Sequence, residues 1–350
     1  MLILLFCYSE AAAETAVDKH LLNEMLTTVT NRYLEPVDNV TLVYNGLQAL
    51  SDVDKNLVVS KGSDRFYIYY NQKINRSVRF PQDMQNIPQW VDTLAQIIDI
   101  STEISEKLSI RDFEIPDLIM KGMTSGLDKY TRYYSVYDYD DNEETNTVYT
   151  LFSERLIDDV LYLRVRVFNK QTAKAVENSL RQNPNINGVI LDLRGNSGGM
   201  LNEALKVADL FCDNEIITYT AGRHNNNIHY YTSKEGALFG GALVIMVDGE
   251  TASAAEVLAG GLQEQSRAKI IGMHTFGKGS IQTVTQMSNG GKLVLTGEQF
   301  FTPSGKVINE QGIEPDVCLS DTLTDSCPKE IRERRESDIT QAVELVKKSF

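Results

Sequence analysis

Cysteine is scarce in this 350-residue chain: Cys7, Cys212, Cys318 and Cys327 are the only four. No two stand at the CxxC spacing of a zinc site, and if Cys7 leaves with a cleaved N-terminus the remaining three make no disulfide framework. Cys318 and Cys327 flank a polar turn, where pairing in an oxidising compartment and two free thiols are both open. Cys212 ends an apolar helical stretch and reads as buried and free. The four histidines, His20, His224, His229 and His274, stand in no recognisable triad context. His224 and His229 flank a polar turn and read as solvent-exposed rather than as metal ligands. No stretch is apolar for the ~18 residues that a membrane-spanning helix needs. Positive charge is also short, with 34 Lys and Arg against 48 Asp and Glu and a net charge of −14. That balance argues against nucleic acid or an anionic membrane as the main partner. What remains, 42% hydrophobic and 23% charged, is the composition of a soluble globular chain. Its length allows one large or two to three ordinary domains.

The informative stretch runs from Asp248 to Gln282. It reads as the end of a buried strand, a tight polar turn, a helix (AAEVLAGGLQEQ), a second strand and a glycine-flanked lysine. Ser253 lies in the turn where the helix begins, and Lys278 lies within Phe276-Gly277-Lys278-Gly279-Ser280. A serine hydroxyl attacks well only when a neighbouring base takes its proton, and a neutral lysine can be that base. Free lysine has a pKa of about 10.4, and apolar burial lowers such values. The apolar approach IIGMHTF predicts a sheltered position for Lys278. Free amides at the helix start favour developing negative charge, which makes the Ala254 N–H a candidate oxyanion donor.

Two other readings fit some of these residues. The run from Gly272 to Lys278 satisfies a phosphate-loop pattern until position 279, where a Ser or Thr must hold magnesium and Gly279 stands instead. The segment SIQTVTQM that follows also alternates like a strand, whereas a phosphate loop opens a helix. Taken singly, Ser253 reads as a helix cap and Lys278 as a turn lysine. The wider pattern decides between them. TASAAEVLAGGLQEQSRAKIIGMHTFGKGSIQ resembles the core of the C-terminal processing peptidases, or tail-specific proteases, which are Ser/Lys serine proteases. GVILDLRGNSGG at 188–199, GEQFFTPSGKVI at 297–308 and GIEPDV at 312–317 fit the same family in the same order, and GLDKYTRYYS at 126–135 resembles the segment leading into its PDZ module. The resemblance implies Ser253 as nucleophile, Lys278 as general base, Gln282 orienting the lysine, and an oxyanion hole completed from the LRGNSGG loop. Gly199 is the preferred donor there and Gly198 the alternative. Ala255 replaces a second serine found in many members. Arg194 and Asn196 read either as braces of that loop or as ordinary salt-bridge and turn residues.

The catalytic part, about residues 161–320, alternates strands (LYLRVRVF, GVILDLRGN, ALVIMVDG) with helices, which predicts an α/β core with active groups at strand C-terminal ends. The resemblance implies a ββα spiral of the crotonase and Clp-protease type. Residues 14–134 read as a mainly helical region with strand-like alternation in DRFYIYYNQKINRSVRF. Residues 135–160 are too few for a PDZ module and hold an acidic linker, YDYDDNEETNT; Asp138, Asp140 and Asn142 begin like a calcium loop, but Glu143 replaces its glycine. Residues 1–13, MLILLFCYSEAAA, read as a shortened secretion signal, with a buried first strand as the alternative. The tail at 321–350 predicts one amphipathic helix through Ile339, Ala342, Val343 and Val346, docking on the N-terminal region or serving a dimer contact. The resulting expectation is an exported enzyme, periplasmic or extracytoplasmic, that needs no cofactor or metal and cuts polypeptides near their C-termini. A homodimer or an activating partner is left open. An inactive peptide-binding scaffold is the alternative, and a crotonase-like acyl-CoA enzyme a more distant one.

Overall fold

The computed structural model describes residues 18–138, 152–223, 227–319, 327 and 336–348. The secretion-signal reading of residues 1–13, most of the acidic linker, and His224 lie outside the described residues. The chain divides into two units: residues 1–141 with 282–296, and residues 142–281 with 297–350. Residues 282–296, which the sequence places in the catalytic part, thus fall in the first unit.

In the first unit, Lys19–Arg32 (α1), Asn39–Gln48 (α2), Leu50–Val53 (α3), Ile87–Ile104 (α4), Glu106–Ile110 (α5) and Ile115–Ser125 (α6) are helices. Asp18, Asp38 and Asn86 start α1, α2 and α4 by accepting a free N–H of the first turn, which satisfies donors that the helix itself cannot. Leu57–Lys61 (β1), Arg65–Tyr70 (β2) and Lys73–Arg79 (β3) form an antiparallel sheet, matching the alternation read from the sequence. Phe66 of β2 meets Phe80 and, on α4, Trp90 edge-on, and Phe80 and Trp90 are tilted against each other. Arg132–Tyr134 (β4) pairs antiparallel with residues 292–294.

The second unit is built on a six-stranded sheet. Its strands in chain order are Phe152–Ile157 (β5), Val160–Val165 (β6), Gly188–Asp192 (β7), Ala242–Val247, Lys269–Gly272 and Val317–Cys318. Between them come the helices Thr172–Gln182 (α7), Leu201–Asp209 (α8) and Ala254–Glu264 (α9), the hairpin Ile216–Gly222 (β8) with His229–Thr232 (β9), and the long strands Ser280–Gln286 and Lys292–Phe301, whose residues within 282–296 belong to the first unit. We number Ala242–Val247 β10, Lys269–Gly272 β11, Ser280–Gln286 β12, Lys292–Phe301 β13 and Val317–Cys318 β14. The sheet order is β14-β11-β10-β7-β6-β5, with all neighbours parallel except β5. The end of β13 pairs antiparallel with β8.

Both faces of this sheet are covered, which is why β7 and β10 read as unbroken apolar runs rather than alternating ones. Val189, Leu191, Ile245 and Val247 meet α7, α8 and α9 on one face. Ile190, Val244 and Met246 point the other way, where the last helix, Glu336–Lys347 (α10), lays Ile339, Ala342, Val343 and Val346 over them. This corrects the expectation that the tail helix docks on the N-terminal region. Its apolar stripe instead covers the back of the sheet, and the approach is close: a Cβ on Gly188 would sit 2.1 Å from Val346 Cγ1. Cys318 and Cys327 form a disulfide at a Cα–Cα distance of 5.6 Å. Cys212 is buried and free.

Candidate active site

Three adjacent parallel strands, β7, β10 and β11, end side by side, with Met246 level with Asp192 and Val247 level with Gly272. The loops leaving their C-terminal ends carry Gly198 and Gly199, Ser253, and Lys278 respectively. Such strand ends are where α/β sheets gather chemistry.

Ser253 caps the start of α9 with φ 56° and ψ −123°, a backbone conformation that costs a non-glycine residue about 1–3 kcal/mol. A serine on a sharp strand-to-helix turn of this kind is lifted out of the backbone and presented at the sheet's end. Ser253 is partly exposed, whereas Ala254 behind it is buried.

The group holding the turn is Glu256, fully buried in the first turn of α9. Its Oε2 accepts the Ser253 N–H at 2.8 Å and the Lys278 N–H at 2.8 Å. Its Oε1 accepts the Thr275 hydroxyl and the Gly277 N–H, each at 2.6 Å. One carboxylate oxygen therefore keeps the backbone of Ser253 and that of Lys278 within two hydrogen-bond lengths of each other. Burial pushes the Glu256 carboxyl above the usual glutamate value, against the opposite pull of its four donors. Phe276 adds an N–H to the Thr251 carbonyl at 3.0 Å, closing the lysine loop on the serine turn.

The glycines beside Lys278 answer to close approach more than to flexibility. Gly277 has φ 86°, and a Cβ on Gly279 would lie 2.2 Å from the Asn309 nitrogen. Lys278 itself is partly exposed. Gln282 stands on β12, and its amide nitrogen donates to Thr296 Oγ1 at 3.1 Å.

The turn after β7 is braced from both sides. Asp248 Oδ1 accepts the Gly195 N–H at 2.9 Å, and the Asn196 carbonyl accepts the Ala252 N–H at 2.9 Å. Asn196 Oδ1 takes the Gly198 N–H at 2.8 Å, while its Nδ2 donates to the Val165 carbonyl at 3.1 Å. The Gly198 carbonyl and Met200 N–H are both tied to Phe168 at 2.8 Å. These bonds use the Gly198 N–H and leave out that of Gly199, which is exposed at φ 118°. A Cβ on Gly198 would sit 2.8 Å from Ser253 Cβ, so this turn and the serine touch. Arg194 enters the opposite side of the sheet as one partner of a buried ion pair.

Against this geometry the comparisons are direct. The model for peptidase family S41 matches residues 159–319. Residues 159–319 are thus similar to peptidase family S41. The chain is similar to a carboxy-terminal-processing protease of Bartonella bacilliformis, 36% identical over 176 residues, which are 48% of this chain and 41% of that protein. A chloroplastic carboxyl-terminal-processing peptidase 3 of Arabidopsis thaliana is 35% identical over 181 residues, 51% of this chain and 35% of that protein. The chain thus spans less than half the length of these curated relatives. In fold it is similar to a photosystem II D1 C-terminal processing protease, with a TM-score of 0.52 at 18% identity over 86% of this chain and 92% of the other. A lipoprotein from Streptococcus agalactiae matches with a TM-score of 0.51 at 16% identity, over 91% of this chain and all of the other. The chain therefore shares a fold of mixed helices and sheets with these two structures. Ser253, Lys278 and both glycines were singled out in the sequence. Glu256 was not, although Ser253-x-x-Glu256 has the spacing of a capping box, the signal that could have found it.

Proposed function

We propose that the chain is a serine endopeptidase of the C-terminal processing type, with Ser253 as nucleophile and Lys278 as general base. The observation that carries this reading is the single Glu256 oxygen shared by the Ser253 and Lys278 amides. A helix cap and an unrelated turn lysine would have no need of it.

In this mechanism Ser253 Oγ attacks the scissile carbonyl carbon while its proton passes to the Lys278 amine. The oxyanion accepts hydrogen bonds from the Ala254 and Gly199 N–H groups, since the Gly198 N–H is engaged by Asn196. The carbon–nitrogen bond then breaks as the Lys278 ammonium protonates the leaving amine. A water that gives its proton to Lys278 opens the acyl ester, and the proton returns to Ser253 as the acid product leaves. Gln282 keeps the orienting role that the family resemblance assigns to it.

The substrates are polypeptides, cut near their C-termini in an exported compartment. The Cys318–Cys327 disulfide supports that location, because such bonds persist where the surroundings are oxidising. Among the described residues no helix is long and apolar enough to cross a membrane. With no room for a PDZ module between β4 and β6, the tail is chosen by the catalytic groove or by a partner protein.

The test is cleavage of an unfolded protein, with products read by mass spectrometry. Ser253→Ala and Lys278→Ala should each abolish cleavage while leaving the circular dichroism spectrum unchanged. Lys278→Arg should be equally dead, because a guanidinium does not give up its proton. Activity near wild type in any of the three rejects the Ser/Lys reading. A wild-type protein that binds the unfolded chain without cutting it, equally well with Ser253→Ala, would be a scaffold.

A further inference from the structure

The C-terminal helix does more than cover an apolar face. Its second residue after the start, Asp338, is buried, and its Oδ2 accepts from Arg194 Nη1 at 3.1 Å. Arg194 is held on its other edge by Asp192, Nε to Oδ1 at 2.9 Å and Nη2 to Oδ2 at 2.7 Å, and the Arg194 backbone N–H also donates to Asp192. Tyr162 closes the group by donating its hydroxyl to Asp192 Oδ2 at 2.6 Å. The Arg194 side chain is 5% exposed and those of Asp192 and Asp338 are 0% and 5% exposed. A guanidinium buried to this degree keeps one geometry only while its donors are matched.

What Arg194 anchors is the turn that begins with the next residue, Gly195, and ends in Gly198 and Gly199 against Ser253. Asp248 and Asn196 hold that turn from the side of the serine. Arg194 holds it from the back of the sheet, and the partner of its Nη1 is a residue 144 positions away.

We propose that Asp338 is a positioning residue for the reaction: through Arg194 it sets the Gly195–Gly199 turn at the geometry that the oxyanion donor needs. This rests on the protease reading above and deepens it, because it makes α10 part of the catalytic architecture. Asp338 touches neither substrate nor reacting atoms. Its effect is on kcat, since a donor displaced by a fraction of an ångström weakens binding of the transition state rather than of the substrate.

The experiment uses the full chain and four proteins: wild type, Asp338→Ala, Asp338→Asn and Ile339→Ala. Ile339→Ala removes apolar packing from the same helix but leaves the ion pair. Cleavage is measured well below every melting temperature, and hydrogen exchange of the peptide covering residues 193–200 is followed by mass spectrometry. Asp338→Ala should lower kcat about 10-fold with KM changed less than about twofold, and should speed exchange in that peptide. Asp338→Asn, which keeps an oxygen for Arg194, should recover part of the loss. Ile339→Ala should lower the melting temperature and leave kcat and the exchange of residues 193–200 alone. The proposal is overturned if Asp338→Ala keeps wild-type kcat, if exchange of residues 193–200 does not change, or if Ile339→Ala reproduces both effects. If wild type and Ser253→Ala are equally inert, the protease reading has failed, and the exchange measurement alone decides whether Asp338 holds the turn.

Discussion

The chain holds non-glycine residues at positive φ in two very different settings. Asn71 and Gln72, at φ 48° and 65°, join β2 to β3 in an exposed two-residue turn. Ser253, at φ 56°, joins β10 to α9 within a cluster of buried hydrogen bonds. The first case follows from topology: a two-residue hairpin matches the twist of its strands only when both central residues are left-handed. The second has no such cause, because a strand can enter a helix through many relaxed turns. In the hairpin the Asn71 amide donates to the backbone carbonyl of Asn56 at 3.0 Å, whereas Ser253 has a buried glutamate bonded to its amide. Strain maintained by a dedicated buried group is what sets the proposed nucleophile Ser253 apart from the hairpin.

That contrast can be broken most sharply at Glu256. Whichever way the amide of Glu256→Gln turns, its NH2 faces at least one backbone N–H that now donates to a carboxylate oxygen. The substitution should lower kcat by about 100-fold or more and cost about 2–4 kcal/mol of stability by leaving buried donors unmatched. Kinetics and urea unfolding check the two numbers. A variant with normal kcat would mean that Ser253 keeps its geometry without the clamp. Gly199→Ala comes next. Its Cβ would lie 2.3 Å from the Phe168 carbonyl oxygen at a φ of 118°, so the turn must move, and kcat should fall about 10²–10³-fold with little change in KM. A simple loss of KM would place Gly199 in substrate binding instead.

Much of this was legible in the sequence, for reasons that differ from residue to residue. β7 and β10 were visible because a strand buried on both faces must be apolar at every position. Ser253 and Lys278 were visible because their neighbours form an extended pattern. Glu256 was hidden, since a glutamate in a helix's first turn looks like any solvated one until its burial is known. Gly199 was preferred to Gly198 from the resemblance alone, and which of the two amides Asn196 occupies was hidden. The docking of α10 could not be read either: an amphipathic stripe says that a helix is covered, not what covers it.

The buried ion pair gives the comparison a pH dependence. Burial pushes the Asp192 carboxyl up, but the hydrogen bonds and charge of Arg194 and the Tyr162 hydroxyl outweigh it, and the net shift is downward. A carboxyl lowered in the folded state adds stability that is present above its unfolded value, about 3.9, and is lost as pH falls through the folded value. The stability gap between wild type and Asp192→Asn should therefore be larger at pH 7 than at pH 3 in urea titrations. Equal gaps at both would mean that the carboxylate charge is not what matters. Glu256, shifted the other way by burial, works with the opposite sign: its contribution is lost as pH rises through its folded value. The smallest expected effect lies in the hairpin. Gln72→Gly, which gives the turn the Asn-Gly sequence suited to two left-handed residues, should raise stability by up to about 1 kcal/mol and leave cleavage unchanged.

The central claim is that Lys278 activates Ser253 across the Glu256 clamp, and covalent labelling tests it most directly. A fluorophosphonate probe should add to Ser253 of the wild-type protein, as located by peptide mass spectrometry. It should fail to label Lys278→Ala within the same time and label Glu256→Gln far more slowly. Equal labelling rates for wild type and Lys278→Ala, or an adduct on any residue other than Ser253, would contradict the account.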